Sequence, residues 1–238
     1  MTNRIPEIPQ AAAARLVGLM YLLFPVALFS PFYVWPKINV SGDAAQTAIN
    51  LMAHERLFRI GVVSELFTWV IDIVLILALY VLTKPVNRHL ALLATLFRIV
   101  ETAILCVVTL ASLVALLLLS DAEYLRAFET NQLQGMARLA LSARAAGYDV
   151  GLTFLGLGST VFSYLLFESR YVPRALSAWG IFSSVLLLAG VLAMIVFPTW
   201  RSVLNPGYFV PIFIYEVTLG FWLLLKDARI ESRSSPAA

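Results

Sequence analysis

Residues 57–82 read LFRIGVVSELFTWVIDIVLILALYVL, and after the turn TKPVNRH residues 90–119 read LALLATLFRIVETAILCVVTLASLVALLLL. Each run exceeds the ~20 mostly apolar residues that carry a helix through the hydrocarbon of a bilayer. Neither run alternates as a barrel strand does, and an open strand in lipid would leave its backbone groups unbonded, so both are read as membrane helices. Pro85 and Asn87 in the intervening segment 84–89 mark a tight turn, which makes the two runs a helical hairpin.

Four further runs qualify when the same criterion is carried outward: residues 16–34, with Pro25 inside, 147–167, 175–197 and 208–225. Links 168–174, with Pro173, and 199–207, ending in Asn205-Pro206-Gly207, are short and turn-like. Two links are longer. Residues 35–56 hold Ser41-Gly42-Asp43 before an alanine-rich, helix-compatible stretch, and residues 120–146 begin with Ser120 and Glu123 at capping-box spacing. The second long link then reads as an amphipathic helix that can run on into residues 147–167. The expected fold is all-α: a polytopic membrane helix bundle with about six transmembrane helices, plus short amphipathic helices in the outer links. It forms one transmembrane domain, residues 16–226, between polar tails at 1–15 and 227–238.

Composition agrees. Hydrophobic residues make up 61% of the chain and charged residues 13%, whereas a soluble domain carries roughly 25% charged residues. Such a chain needs lipid around it, so the bilayer is its first expected partner. The net charge of +3 is small, and no Lys/Arg stripe with interleaved aromatics is present, which excludes a nucleic-acid partner. Cys106, the single cysteine, cannot form an internal disulfide and reads as a packing residue. The apolar run after Arg15 is too long for a signal-peptide core and reads as a retained first helix. The sequence does not indicate an oligomeric state.

Basic residues in short loops set orientation. Lys84 and Arg88 in one tight turn, and Arg170 and Arg174 in the other, fall on the side of the N-terminus. With Arg4, Arg15, Lys226, Arg229 and Arg233 they place both termini in the cytoplasm of a multi-pass protein of the inner (plasma) membrane. Lys37, Arg56, Arg59, Arg126, Arg138, Arg144 and Arg201 fall outside.

Ionisable residues inside the spans carry the functional information, because a charge at the bilayer centre costs roughly 2.5–3.5 kcal/mol on insertion scales. Glu65 and Asp72 lie seven apart on one face of the second span, with Thr68 between them. Arg98 and Glu101, three apart, share a face of the third. At 1.5 Å per residue Asp72 and Glu101 lie ~18 Å, Arg98 ~14 Å and Glu216 ~15 Å from the inner surface. The four therefore share one level near mid-membrane, around a single guanidinium that cannot neutralise three carboxylates. They are the candidate ligand-binding or proton-handling residues. Glu65 and Asp149 join them at a shallower depth, where Arg59 and Arg144 can reach them. The competing reading makes the buried charges a packing device that fixes helix positions. Gly147, Gly151, Gly156 and Gly158 in the fourth span favour close helix approach, and Pro25 and Pro211 are candidate kink sites.

Enzyme signatures are missing. His54 and His89 are the only histidines and both sit in or beside loops, which excludes a three-histidine zinc site and disfavours a bis-histidine haem. Ser159 and Ser183 have no histidine base within the spans, no lysine lies mid-membrane, and no P-loop is present. No catalytic residue, metal ligand or cofactor is assigned.

The segments LFRIG (57–61), LALYVLTKPVNRHLALLATLFRIVETAIL (77–105) and GYDVGLTFLGLGSTVFSYLLFESRYVPRALSAWG (147–180) resemble a bacterial integral membrane family catalogued as domain of unknown function 4386, over about residues 15–226. The resemblance implies a six-helix membrane fold and polar residues at positions such as Asp72, Arg98 and Glu101. It implies no activity. Two function classes stay open: binding or transport of a small apolar or amphiphilic ligand or of protons at the charged cluster, and a non-catalytic scaffold or regulatory membrane protein.

Overall fold

The computed structural model describes residues 8–204 and 207–225. The Asn205-Pro206 turn signal, most of the N-terminal tail, the C-terminal tail and the basic residues Arg4, Lys226, Arg229 and Arg233 lie outside the described residues.

The described chain is all-α. Its α-helices are α1 (Gln10–Leu23), α2 (Trp35–Ile38), α3 (Ala44–Ala53), α4 (Glu55–Thr83), α5 (Arg88–Leu118), α6 (Thr130–Ser169), α7 (Arg174–Val196), α8 (Arg201–Leu204) and α9 (Val210–Leu225). Among the described residues five helical runs are long and apolar enough to cross a membrane: Gln10–Ile38, α4, α5, α6 and α7. The sixth expected span is α9, apolar but only 16 residues long. It is ~24 Å in length, short of the ~30 Å hydrocarbon thickness.

Local chemistry explains the boundaries. The first run does not stay α-helical past Leu23. Pro25 lacks an N–H and its ring crowds the preceding turn, and the chain continues as a 3₁₀ turn, Phe24–Leu28, and a π turn, Ser30–Val34. Pro211 has no such effect, because it occupies the first turn of α9, where the lost N–H has no intrahelical partner anyway. Asp43 caps α3 by accepting from the Gln46 N–H at 2.8 Å, after Gly42 has turned the chain with a φ of 80°. Asn87 Oδ1 caps α5, accepting from the N–H groups of His89 and Leu90 at 3.1 Å each. Ser120 does not cap anything: its hydroxyl donates back to Leu117 O, and Glu123 opens a 3₁₀ turn, Glu123–Ala127, before α6 starts at Thr130. From there α6 runs for 40 residues, ~60 Å, as a continuous helix through the amphipathic link and the fourth span.

On α4 apolar residues face both ways, and the polar ones of its middle turn inward. Along α4, Ile60, Val63, Phe67, Val70, Ile73 and Leu77 are exposed, while Glu65, Thr68 and Asp72 are buried. The exposed positions recur at helical spacing and are apolar, while the buried side combines these polar groups with Ile71, Leu75 and Leu79. Cys106 follows the same pattern and is exposed on α5, not packed inside.

Contacts divide the chain into two compact units. Among the described residues the first comprises 8–23, 72–100, 152–204 and 207–225, the second 24–71 and 101–151, so that α4, α5 and α6 each contribute to both. In the first unit α1 packs on α9 at a glycine crossing: a Cβ on Gly18 would come within 2.8 Å of Gly220 O, and one on Gly220 within 3.1 Å of Gly18 O. Such approach is available only to glycine. The core of the second unit gathers Val34, Ile38, Leu51, Phe58, Ala115 and Leu141, with Trp35 against its edge.

Candidate functional site

Each unit holds a buried ion pair, and the surroundings of the two differ.

In the first unit Arg98 of α5 donates from Nη2 to Asp72 of α4, and both side chains are almost fully buried. Arg98 Nη1 donates to Ser159 Oγ of α6 at 3.3 Å. One guanidinium thus ties three helices. Room for its stem comes from Gly158, where a Cβ would lie 2.7 Å from Arg98 Cγ. Glu216 of α9 is buried and close enough to Arg98 and Asp72 for their charges to act on it, and Tyr21 of α1 lies within the same field. Tyr215 is buried beside it; its hydroxyl accepts from Ser163 Oγ at 3.2 Å, and its ring fills the place where Gly180 lacks a side chain. Asp72 holds the guanidinium's Nη2, and Glu216 is buried within reach of its charge.

In the second unit Arg144 of α6 pairs with Glu65 of α4. Glu65 also accepts from Ser30 Oγ at 2.6 Å and from Thr109 Oγ1 at 3.3 Å. Trp69 Nε1 in turn donates to Thr109 Oγ1 at 2.9 Å. The Arg144 guanidinium lies between two rings, 4.5 Å from the Trp35 centroid and 4.7 Å from that of Tyr148. A carboxylate met by a cation and two hydroxyls has most of its lone pairs satisfied, which is what lets a buried pair persist. Ser30 belongs to the π turn that follows Pro25, so the break in the first run delivers a donor to Glu65.

Of the four residues that the spacing put at one level, Asp72, Arg98 and Glu216 fall in the first unit. Glu101, buried one turn along α5 from Arg98, falls among the residues of the second, as does buried Asp149. Arg144 reaches Glu65, whereas Arg59 instead pairs with Glu55 one turn away on the surface. Sequence reasoning missed Tyr21, Ser30 and Thr109, and treated Trp35 as loop. Ser30 and Thr109 are common residues in apolar runs, and nothing local marks them. Among the described residues no group of three or more His, Cys, Asp and Glu side chains is placed to hold a metal ion.

The family described as "Domain of unknown function (DUF4386)" matches residues 16–226. A relative from Archaeoglobus fulgidus (strain ATCC 49558 / DSM 4304 / JCM 9628 / NBRC 100126 / VC-16), described as "Uncharacterized protein", is 27% identical over 165 residues, covering 68% of this chain and 80% of the relative. No solved structure matches.

Proposed function

This chain belongs to the DUF4386 family, and on that premise we propose a membrane protein that binds or transports a proton or a small cationic ligand at the Asp72–Arg98–Glu216 cluster. The supporting observation is the charge count. Arg98 is engaged by Asp72, and Glu216 is buried in the same field without a cation of its own among the described residues. A buried group of two acids and one base is one positive charge short of balance, and buried charge is retained where it is compensated. A proton or a small cation is the compensating species, and its uptake and release at Glu216 would be the working step.

The arrangement fits a multi-pass protein of the inner (plasma) membrane with cytoplasmic termini. Lys84 and Arg88 flank one turn of the first unit and Arg170 and Arg174 the other, as the distribution of basic residues across a membrane requires. Gln10, at the start of α1, accepts a hydrogen bond from the Tyr171 hydroxyl at 3.1 Å, which holds the N-terminal end of α1 at that second turn.

The test is a proteoliposome assay with a pH dye inside, run on wild type and Glu216→Gln, with native mass spectra of both. This reading expects a dissipated proton gradient, or a bound cationic molecule, for wild type, and neither for a folded Glu216→Gln. Retention of either property by Glu216→Gln would overturn it. The scaffold reading draws on the way Arg98 links α4, α5 and α6. It expects no flux and no ligand in either protein, and an unchanged fold in Glu216→Gln.

A further inference from the structure

The packing of α9 decides which species the carboxyl of Glu216 can take up. Glu216 lies on the buried face of α9 with Ile212, Leu219 and Gly220. Residues three and four apart on a helix are neighbours. The positions that border Glu216 on its own helix, Ile212, Phe213, Leu219 and Gly220, therefore offer it carbon and no side-chain oxygen.

Two neighbouring helices close on the same stretch. A Cβ on Gly220, four residues on from Glu216, would stand 3.1 Å from both Gly18 O and Tyr21 Cβ of α1. The ring of Tyr215, the residue before Glu216, lies in the Gly180 notch of α7, where a Cβ would come within 2.3 Å of Tyr215 Cζ. The hydrogen bond between Ser163 of α6 and the Tyr215 hydroxyl holds that ring in place. At these two positions no molecule fits between α9 and its neighbours.

Charge argues the same way. The charges that reach Glu216 are those of Arg98 on α5 and Asp72 on α4. Tyr21 on α1 and Tyr215 on α9 are the titratable groups within the field of Glu216 itself, and the contacts from α6 and α7 are uncharged Ser163 and Gly180. A metal ion gives up its hydration shell only for a ring of oxygens. A second cation of any kind would also meet the positive charge of Arg98. A proton needs one lone pair of the carboxylate and no cavity.

We propose that the species taken up at Glu216 is a proton alone, and that the site refuses Na⁺, K⁺ and organic ammonium ions. This narrows the reading of Asp72, Arg98 and Glu216 as a working site and rests on it. The step is the gain of H⁺ by one carboxylate oxygen. The carboxyl is then neutral, and Asp72 and Arg98 balance each other.

Infrared difference spectra of the full chain in liposomes test this without reference to flux. A protonated carboxyl has a C=O stretch that an ionised one lacks. Wild type is expected to show such a band, missing from Glu216→Gln, that grows as the pH falls. At a pH where the band is present, an excess of Na⁺, K⁺ or methylammonium is expected to leave its height unchanged. Loss of half the band or more on adding any of these, at constant pH and ionic strength, would overturn the proposal, because a cation would then compete with the proton. A Glu216 band missing at every pH at which the protein stays folded would overturn it as well. Should Glu216→Gln not fold, Glu216→Asp assigns the band by moving it. The expected band in liposomes that hold their pH gradient would keep the proton at Glu216 and overturn its transport, so the two readings fail separately.

Discussion

Arg98 reaches Asp72 only because Gly158 has no side chain: a single carbon there would stand 2.7 Å from Arg98 Cγ. Gly158→Ala is therefore expected to displace the arginine stem and weaken the pair, at the about 1–3 kcal/mol typical of overpacking. Gly135 is the control, since a Cβ there meets nothing within 4 Å; Gly135→Ala should instead stabilise α6 by roughly 1 kcal/mol. Thermal melting of both variants in one detergent checks the contrast.

Removing one member of the Asp72–Arg98 pair should be worse than removing both. Arg98→Ala leaves a buried carboxylate unmet, at about 3–5 kcal/mol, whereas an apolar pair of similar volume is close to neutral. Asp72→Leu combined with Arg98→Met is thus expected to recover the monodisperse gel-filtration peak that Arg98→Ala alone loses. Equal damage from the single and double variants would show that the two residues act independently.

In the second unit the ring contacts give an optical handle. Trp35 stacks on the Arg144 guanidinium, so Arg144→Met should shift tryptophan emission as that face loses its cation. Ser30→Ala removes one donor to Glu65 and should cost about 1 kcal/mol, with little change in emission.

The two faces of α4 are open to site labelling. Spin labels at Val63, Phe67 and Val70 are expected to meet lipid-dissolved oxygen, and a label at Thr68 to be shielded from it, since Thr68 is fully buried. A uniform oxygen response along α4 would contradict the buried polar face.

The sequence was most informative where one property decides the outcome. Run length located α4, α5, α7 and α9 to within two residues at each end, because lipid imposes it. The seven-residue spacing of Glu65 and Asp72 correctly put both on the buried face. Depth counted from the Lys84 turn brought Asp72 level with Arg98, since a tight hairpin preserves register. Partners brought in by non-local packing could not be read this way. Ser30 meets Glu65 because a 3₁₀ turn and then a π turn carry the chain past Pro25, and Tyr21 comes within the field of Glu216 because two glycines let α1 and α9 close. The Ser120–Glu123 cap failed because the chain makes a 3₁₀ turn before the next helix begins.

The order of the charges along the chain has a consequence for biogenesis. The acid of each pair is synthesised before its base: Asp72 precedes Arg98 by 26 residues, and Glu65 precedes Arg144 by 79. α4 thus leaves the ribosome carrying both buried carboxyl groups, Glu65 and Asp72, and neither of their arginines. Asp72 meets its cation as soon as the hairpin with α5 is complete. Glu65 has to wait for α6, so a nascent chain halted after α5 would hold an unmatched acid in lipid. Quality control that senses exposed intramembrane charge therefore has a defined window on this protein, opened by α4 and closed by α6.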